Sequence, residues 1–597
     1  MIKFIKTSWE WDLTNYGLTF VEENDNFTEQ TTKSYSFPIT IELNEDVASK
    51  LGLIHIEGIV QYEKKIYGLL CIDTNFYDSF ISIKNVNDDQ AEITFFYGKE
   101  TLPVFDKKLN TLPFKISTAP DGDLRVYAKT LLYSNWPTVT HQFVKVYRDG
   151  LSSKGNYKAF ENFVNNYKFN DALSTWYYEQ NANETIDNVI TAVNKNVMAP
   201  MTYILEVLRV GFKTEGLEIR GDLVNNEFAK RLLLVPKNFM EQFSSSQYLN
   251  YSFTNYTSQT QIGNQTINVY RQIHIPTNVG SFELKIRVNM NSNMAQYFQL
   301  KVVQNNVTLY EAFSENSQVA INETLNITIV NTTIFQDIEV EMRLVQQTQV
   351  ISDFNNFTYQ YKEAQLNIFP SVYTIADYMP DMKFREFFNR IKGWFNLDVV
   401  YSDNAVYLNF LDNAIEQKIF KDRSHLQDTK PERDLDKNNL FKLEYPNKDY
   451  ALVNKDGLTF NEANFTEEET TPIEFNVLPL EVRDNFGSVT AIYPEDENDL
   501  MVILFDRLTG ETENISLNSY NNQTLTALEM YNNFWQKWLK FRANAETVKD
   551  SFRMHYTEAI NIKEGEYKYN TQRLIVSIRK QRISTDWYDV EMTAETF

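Results

Sequence analysis

Five histidines, His55, His141, His274, His425 and His555, are the first residues to weigh for metal or acid–base chemistry. No two stand at the spacing of a helical H-E-x-x-H pair, which brings both rings to one face to share a zinc ion. Asp377 and Asp381 offer a pair of carboxylates, the groups that acid–base cleavage of a glycosidic bond requires. They precede an amphipathic stretch, where carboxylates more often cap a helix and meet its dipole. Asp434-x-Asp436-x-Asn438 begins like a calcium loop. Asn439 stands where the sharp turn needs Gly, and Tyr445 where the last ligand should be Glu, so it reads as a polar turn. Cys71 is alone, within Leu69-Leu70-Cys71-Ile72, so no intrachain disulfide can form and the thiol reads as buried and inert. Three residues of the basic cluster Arg573, Arg579, Lys580 and Arg582 alternate along a strand with Ile575 and Ile583 nearby, so it reads as a solvated face or a subunit contact. No G-x-S-x-G, G-x-x-x-x-G-K-S/T or G-x-G-x-x-G run occurs. The expectation is a chain with no catalytic, metal-ligating or cofactor-binding residue, and no cofactor.

Composition narrows the classes further. The 597 residues are 43% hydrophobic and 14% aromatic, ample core material for several domains. A formal charge of −23 opposes binding to nucleic-acid phosphates, which depends on a positive field that releases counterions. The opening MIKFIKTSWEWDL lacks a cationic region followed by an apolar run, an expectation against a secretory leader. Nothing approaches the ~20 apolar residues of a membrane span, so no stable membrane insertion is expected. Asn-rich triplets at Asn306, Asn322, Asn326 and Asn331 match the glycan-acceptor pattern but follow from an Asn- and Thr-rich composition.

The elements that must position these residues are organised around Pro370 to Leu411. Phe384, Phe387, Phe388, Ile391 and Phe395 recur at helical spacing, with Pro380 and Asp381 suited to a first turn and Arg390 and Lys392 to the last. After Phe395 the period becomes two, through Leu397, Val399 and Tyr401, and Ser402-Asp403-Asn404 can turn the chain into Val406-Tyr407-Leu408. A weaker copy lies upstream, where Pro200 opens a helix with Ile204, Leu205, Leu208 and Phe212, and Gly216 ends it before Leu217 and Ile219. The patterning predicts a mainly β chain with α+β modules, built of antiparallel barrel-like domains, helix-to-hairpin units and an inserted β-sandwich. Residues 1–150 read as an antiparallel, barrel-like block, including strands at Ile54-His55-Ile56 and Ile59 to Tyr62. Residues 151–246 hold the first helix-to-strand unit, and 247–366 an inserted, jelly-roll-like sandwich. Residues 367–440 hold the helix-hairpin module, and 441–597 a β-rich block. That last block carries an aromatic helix through Leu525, Leu528, Phe534 or Trp535, and Trp538.

The order of Trp11-Asp12-Leu13, SYSFPITIELNEDVASKLG, PMTYILEVLRVGFKTEGLEIRGDL, YMPDMKFREFFNRIKGWFNLDVVYSDNAVYL and YNNFWQKWLKF resembles tail-tip and baseplate hub proteins of phages and prophages of Bacteroidetes-type hosts. The resemblance covers most of the chain outside the inserted sandwich. It implies a virion protein, made in the bacterial cytoplasm, that caps the tail tube and joins it to baseplate or tail-fibre proteins. It further implies a homotrimer around the tail axis through which phage DNA passes transiently without specific binding, and it carries over no catalytic residues. Strand-rich blocks near both ends would supply β edges for a closed ring to cover, and a −23 chain would repel DNA in a lumen. The competing reading is a glycan-binding or glycan-degrading protein built on β-sandwiches. In that reading Tyr251, Tyr256 or Tyr297 stack on sugars, and a host surface glycan is taken up through residues 247–366.

Overall fold

The computed structural model describes residues 1–28, 34–56, 63–87, 89–148, 162–180, 182–186, 189–193, 196–236, 256–274, 280–291, 296–304, 306–317, 320–331, 338–345, 358–362, 372–427, 430–434, 441–445, 458–460, 471–483, 490–493 and 500–596. It is mainly β, with several antiparallel sheets and short helices.

At its centre the two helix-to-strand units meet. The Phe384–Phe395 helix forms because its apolar residues fall on one stripe, and Phe384, Phe387, Phe388, Ile391, Trp394 and Phe395 are all buried. Each such side chain contributes ~1.5–3 kcal/mol by leaving water. The helix stops at Asn396, whose left-handed backbone (φ 50°) turns the chain into the hairpin Leu397–Tyr401 and Ala405–Phe410. The start differs from expectation. Lys383 is the N-cap and Glu386 the first-turn acid, so Pro380 and Asp381 lie ahead of the helix; Asp381 instead pairs with Lys108 at 2.7 Å.

In the first unit Met201–Tyr203 is a strand and the helix runs Ile204–Lys213, so Pro200 precedes a strand rather than the helix. Its following strand, Glu218–Arg220, lies parallel to Ala405–Phe410, with Ile219 opposite Val406, so both units share one sheet. Their helices touch through rings. Phe212 sits edge-on to Phe384 and Phe388, each 5.2 Å away, and Phe105 adds a third side. Gly211 permits this approach, because a Cβ there would fall 2.1 Å from the Phe384 ring.

A fourteen-stranded sheet joins the two ends of the chain. The N-terminal strands Ile2–Lys6, Lys65–Ile72, Asn75–Val86 and Gln90–Tyr97 lead through Ser34–Ser36 to Thr19–Glu23. Thr19–Glu23 then pairs antiparallel with Thr571–Arg582, placing Phe20 opposite Lys580. Trp587–Thr596 and Thr547–His555 continue the sheet. The two end blocks therefore pair with each other along Thr19–Glu23 and Thr571–Arg582. The outer strands on this path are short and charged, Trp9–Asp12 and Glu432–Asp434, which discourages edge-to-edge pairing. Ile54-His55-Ile56 is turn, not strand, because Asn44 caps the Glu45–Lys50 helix (Asn44 Oδ1 accepts from Val47 N at 2.9 Å) just before it. Residues 57–62 of that expectation lie outside the described residues.

The described part of the insertion forms a five-stranded sheet, Ser258–Ile262, Gln265–His274, Ile338–Val345, Gln296–Gln304 and Val307–Ser317, and a three-stranded sheet, Ala320–Asn331, Gly280–Asn291 and Thr358–Lys362. Near the C-terminus the aromatic helix contains a π turn over Tyr531–Trp535. That wider turn lets both Phe534 and Trp535 face inward, so the choice between them resolves to both. Phe534 packs on Phe395 and Phe410, 5.0 and 4.7 Å away, and Trp535 donates its indole N–H to the Trp394 carbonyl at 3.3 Å.

Candidate functional site

A buried charged cluster lies where three distant segments converge beside the central hairpin. Asn24 opens a short 3-10 turn by accepting from Asn26 N at 3.1 Å, and its Nδ2 donates to the carbonyls of Ile575 (2.8 Å) and Ile562 (3.1 Å). This anchors the N-terminal segment to the C-terminal strands and drives Asp25 inward. From the last turn of the central helix, Lys392 donates to the backbone carbonyls of Asp25 (2.5 Å) and Thr28 (2.9 Å). Asp398, second in the hairpin, accepts from Asn26 Nδ2 at 2.9 Å and from Lys563 Nζ at 3.2 Å. Lys563 also donates to the Asp25 carboxylate and to Asn26 Oδ1 at 2.6 Å.

Two lysines and two carboxylates thus neutralise one another where water is scarce. Burial opposes the Asp398 charge, but Lys563, Lys418 and the Asn26 bond outweigh it and hold that carboxyl below its usual range. Burial likewise pulls the Lys563 ammonium down, and Asp25 and Asp398 more than offset this, raising it. The pairing of opposite charges suits a fastener, because removing one partner would strand a buried charge. A related cluster lies in the C-terminal block. Lys568 and Asp550 pair at 2.5 Å with both side chains buried, and burial pushes the adjacent Glu566 carboxyl up.

The residues singled out from sequence are dispersed. Burial raises the Asp377 carboxyl above its usual range, within the 3-10 turn Ile375–Tyr378, while Asp381 is exposed and pairs with Lys108, so they have different surroundings and do not share an acid–base site. His141 is buried between Tyr373 Oη (2.5 Å) and Thr140 Oγ1 (2.8 Å), and burial lowers it to about 4, so its ring is neutral. His425 lies 3.3 Å from Glu558, and His555 lies 2.7 Å from Thr557. Among the described residues no group of three or more His, Cys, Asp or Glu is placed to hold a metal. Asp436 and Asn438 lie outside the described residues, as do Tyr251 and the Tyr297 side chain; Tyr256 is exposed. Cys71 is buried.

The basic cluster requires a correction. Arg573 is buried over the Tyr569 ring, Arg579 pairs with Glu591 at 3.1 Å, and Lys580 pairs with Glu22 at 2.9 Å. Arg582 lies 3.5 Å from Asp73. The strand carrying them joins the N-terminal block, so Lys580 and Arg582 serve the fold's own seam and Arg573 is buried, while the Arg579–Glu591 pair keeps the solvated face expected. The ionic junction is invisible in the sequence because Asp25 and Lys563 are 538 positions apart and no local pattern marks either.

No family model matches the chain, and no curated protein matches it significantly. Among solved structures, it is compared with the CBM36-1 domain of a multidomain xylanase from the hindgut metagenome of Trinervitermes trinervoides. The match has 12% identity and a TM-score of 0.10, covering 22% of this chain and 93% of that one. A structure described as CBM4 gives 10% identity and a TM-score of 0.10, over 26% of this chain and 90% of that one. The infectious bursal disease virus VP2 subviral particle gives 8% identity and a TM-score of 0.11, over 48% and 62%. Scores this low do not establish a common fold. No described helix is long and apolar enough to cross a membrane.

Proposed function

We propose that this chain is a structural component of a bacteriophage tail hub or baseplate. In this role it caps the tail tube, connects it to host-contacting proteins, and works as a homotrimer that lets DNA through without catalysis. The observation that supports this reading best is the way the frame is closed. The chain's two ends share one sheet, and the Asp25, Lys392, Asp398 and Lys563 junction ties both of them to the central module. The insertion is mounted between two units whose helices and strands grip each other. A part that transmits force between a tube and its attachments needs such cross-chain fastening, because a body closed by long-range contacts resists opening from either end. The acidic charge of −23 suits a passage for a polyanion. The threefold state follows from the resemblance alone.

The test is light scattering coupled to size-exclusion chromatography, together with incubation on host peptidoglycan and capsular polysaccharide. Three copies per particle and no release of reducing ends are expected. A monomer at every concentration, or saccharide release abolished by Asp377→Asn, would overturn the proposal.

A further inference from the structure

The five-stranded sheet of the insertion ends in two open edges. Among the described residues, Ser258–Ile262 has Gln265–His274 as its one strand neighbour, and Val307–Ser317 has Gln296–Gln304. All five residues of Ser258–Ile262 are exposed, and none carries a charge. The other edge keeps apolar side chains in water, with Val307 61%, Leu309 37% and Phe313 52% exposed. Two register shifts bracket its regular part, residues 310–314, which stand opposite Val302, Lys301, Leu300, Gln299 and Phe298 in turn. That regular run is therefore five residues long, the length of the opposite edge. The outer strands Trp9–Asp12 and Glu432–Asp434 of the fourteen-stranded sheet are short and charged; these two edges lack that protection.

We infer that residues 310–314 of one copy pair with Ser258–Ile262 of the next, so that the inserted sheets of three copies close into one belt. The inference rests on the threefold reading above and names the surface that makes it. A contact between two different edges runs head to tail, the kind that closes into a ring. Main-chain hydrogen bonds along the added strand supply the affinity. Like edges fit less well. Two copies of residues 310–314 paired about Ala312 would set their Glu311 carboxylates diagonally across from each other, and like charges on facing strands repel. Ser258–Ile262 brings no charge against Glu311, and pairing it with itself would leave the apolar edge in water.

Cysteine cross-linking of the full chain tests the pairing. Thr260 and Ala312 are the middle residues of the two runs, so they meet whichever way the strands run, and the native Cys71 is buried. Thr260→Cys combined with Ala312→Cys should give disulfide-linked species of up to three copies on a non-reducing gel, and either change alone should give none. Thr260→Lys places a charge in the seam and should weaken association at least tenfold in light scattering. Thr260 is exposed, so this variant should keep the wild-type melting temperature. A three-copy particle that shows no cross-link in the double variant, or that Thr260→Lys leaves intact, overturns this interface and leaves the assembly reading standing. Cross-linked dimers from either single variant would mean that like edges pair, which also overturns it. A wild type that is monomeric at every concentration removes the assembly reading and this interface with it.

Discussion

Lys563 stands between Asp25 and Asp398, and its replacement tests the ionic junction at its most exacting point. Lys563→Met removes the cation that bridges both carboxylates in a buried site, which costs about 3–5 kcal/mol. Lys108→Met breaks the exposed pair with Asp381 and should cost less than about 1 kcal/mol. Urea unfolding of both variants checks the contrast, and equal losses would mean the junction is not buried in solution. Glu100 gives a pH test. Burial and the charge of Asp25 push its carboxyl from 4.5 up to about 7. Between those values the folded chain holds a proton that the unfolded chain releases, so stability declines as pH rises through that window. Glu100→Gln removes this loss. It should exceed wild type by about 2–3 kcal/mol at pH 8 and match it below about pH 4 in thermal melts, since each pKa unit is worth ~1.36 kcal/mol.

Among the elements, the Phe384–Phe395 helix and its hairpin are readable from the chain, because a stripe at helical spacing followed by alternation leaves few other burials. The start of that helix is not, since Pro380 and Asp381 have good first-turn chemistry while tertiary contacts decide: Phe384 N donates to the Lys107 carbonyl at 2.9 Å. Nor does periodicity show that Glu218–Arg220 pairs with Ala405–Phe410, or that Thr19–Glu23 pairs with Thr571–Arg582, because strand partners far apart in sequence leave no local trace. The ionic junction is hidden for the same reason. Gly211 tests the paired units. Gly211→Ala places a Cβ against the Phe384 ring and should destabilise by about 1–3 kcal/mol. Adding Phe384→Leu should recover part of that loss, and additive losses in a double-mutant cycle would show that the two helices do not meet at this point.

For the whole molecule, one sheet built from both ends predicts one cooperative unit. In native-state hydrogen exchange, the amides of Thr19–Glu23 and Thr571–Arg582 should open together. If the N-terminal strands exchange well before the C-terminal ones, the seam is not part of the cooperative core. The insertion should behave separately: residues 247–366 expressed alone should give a β-type spectrum and a cooperative melt, and an unfolded fragment would move that boundary. The central claim concerns assembly, and an electron-microscopy reconstruction of the purified protein reaches it most directly. The account predicts a closed ring of three copies around an open axis, with the inserted sandwiches mounted on a continuous frame. A particle holding a single copy, with the two end blocks separated from one another, would contradict it.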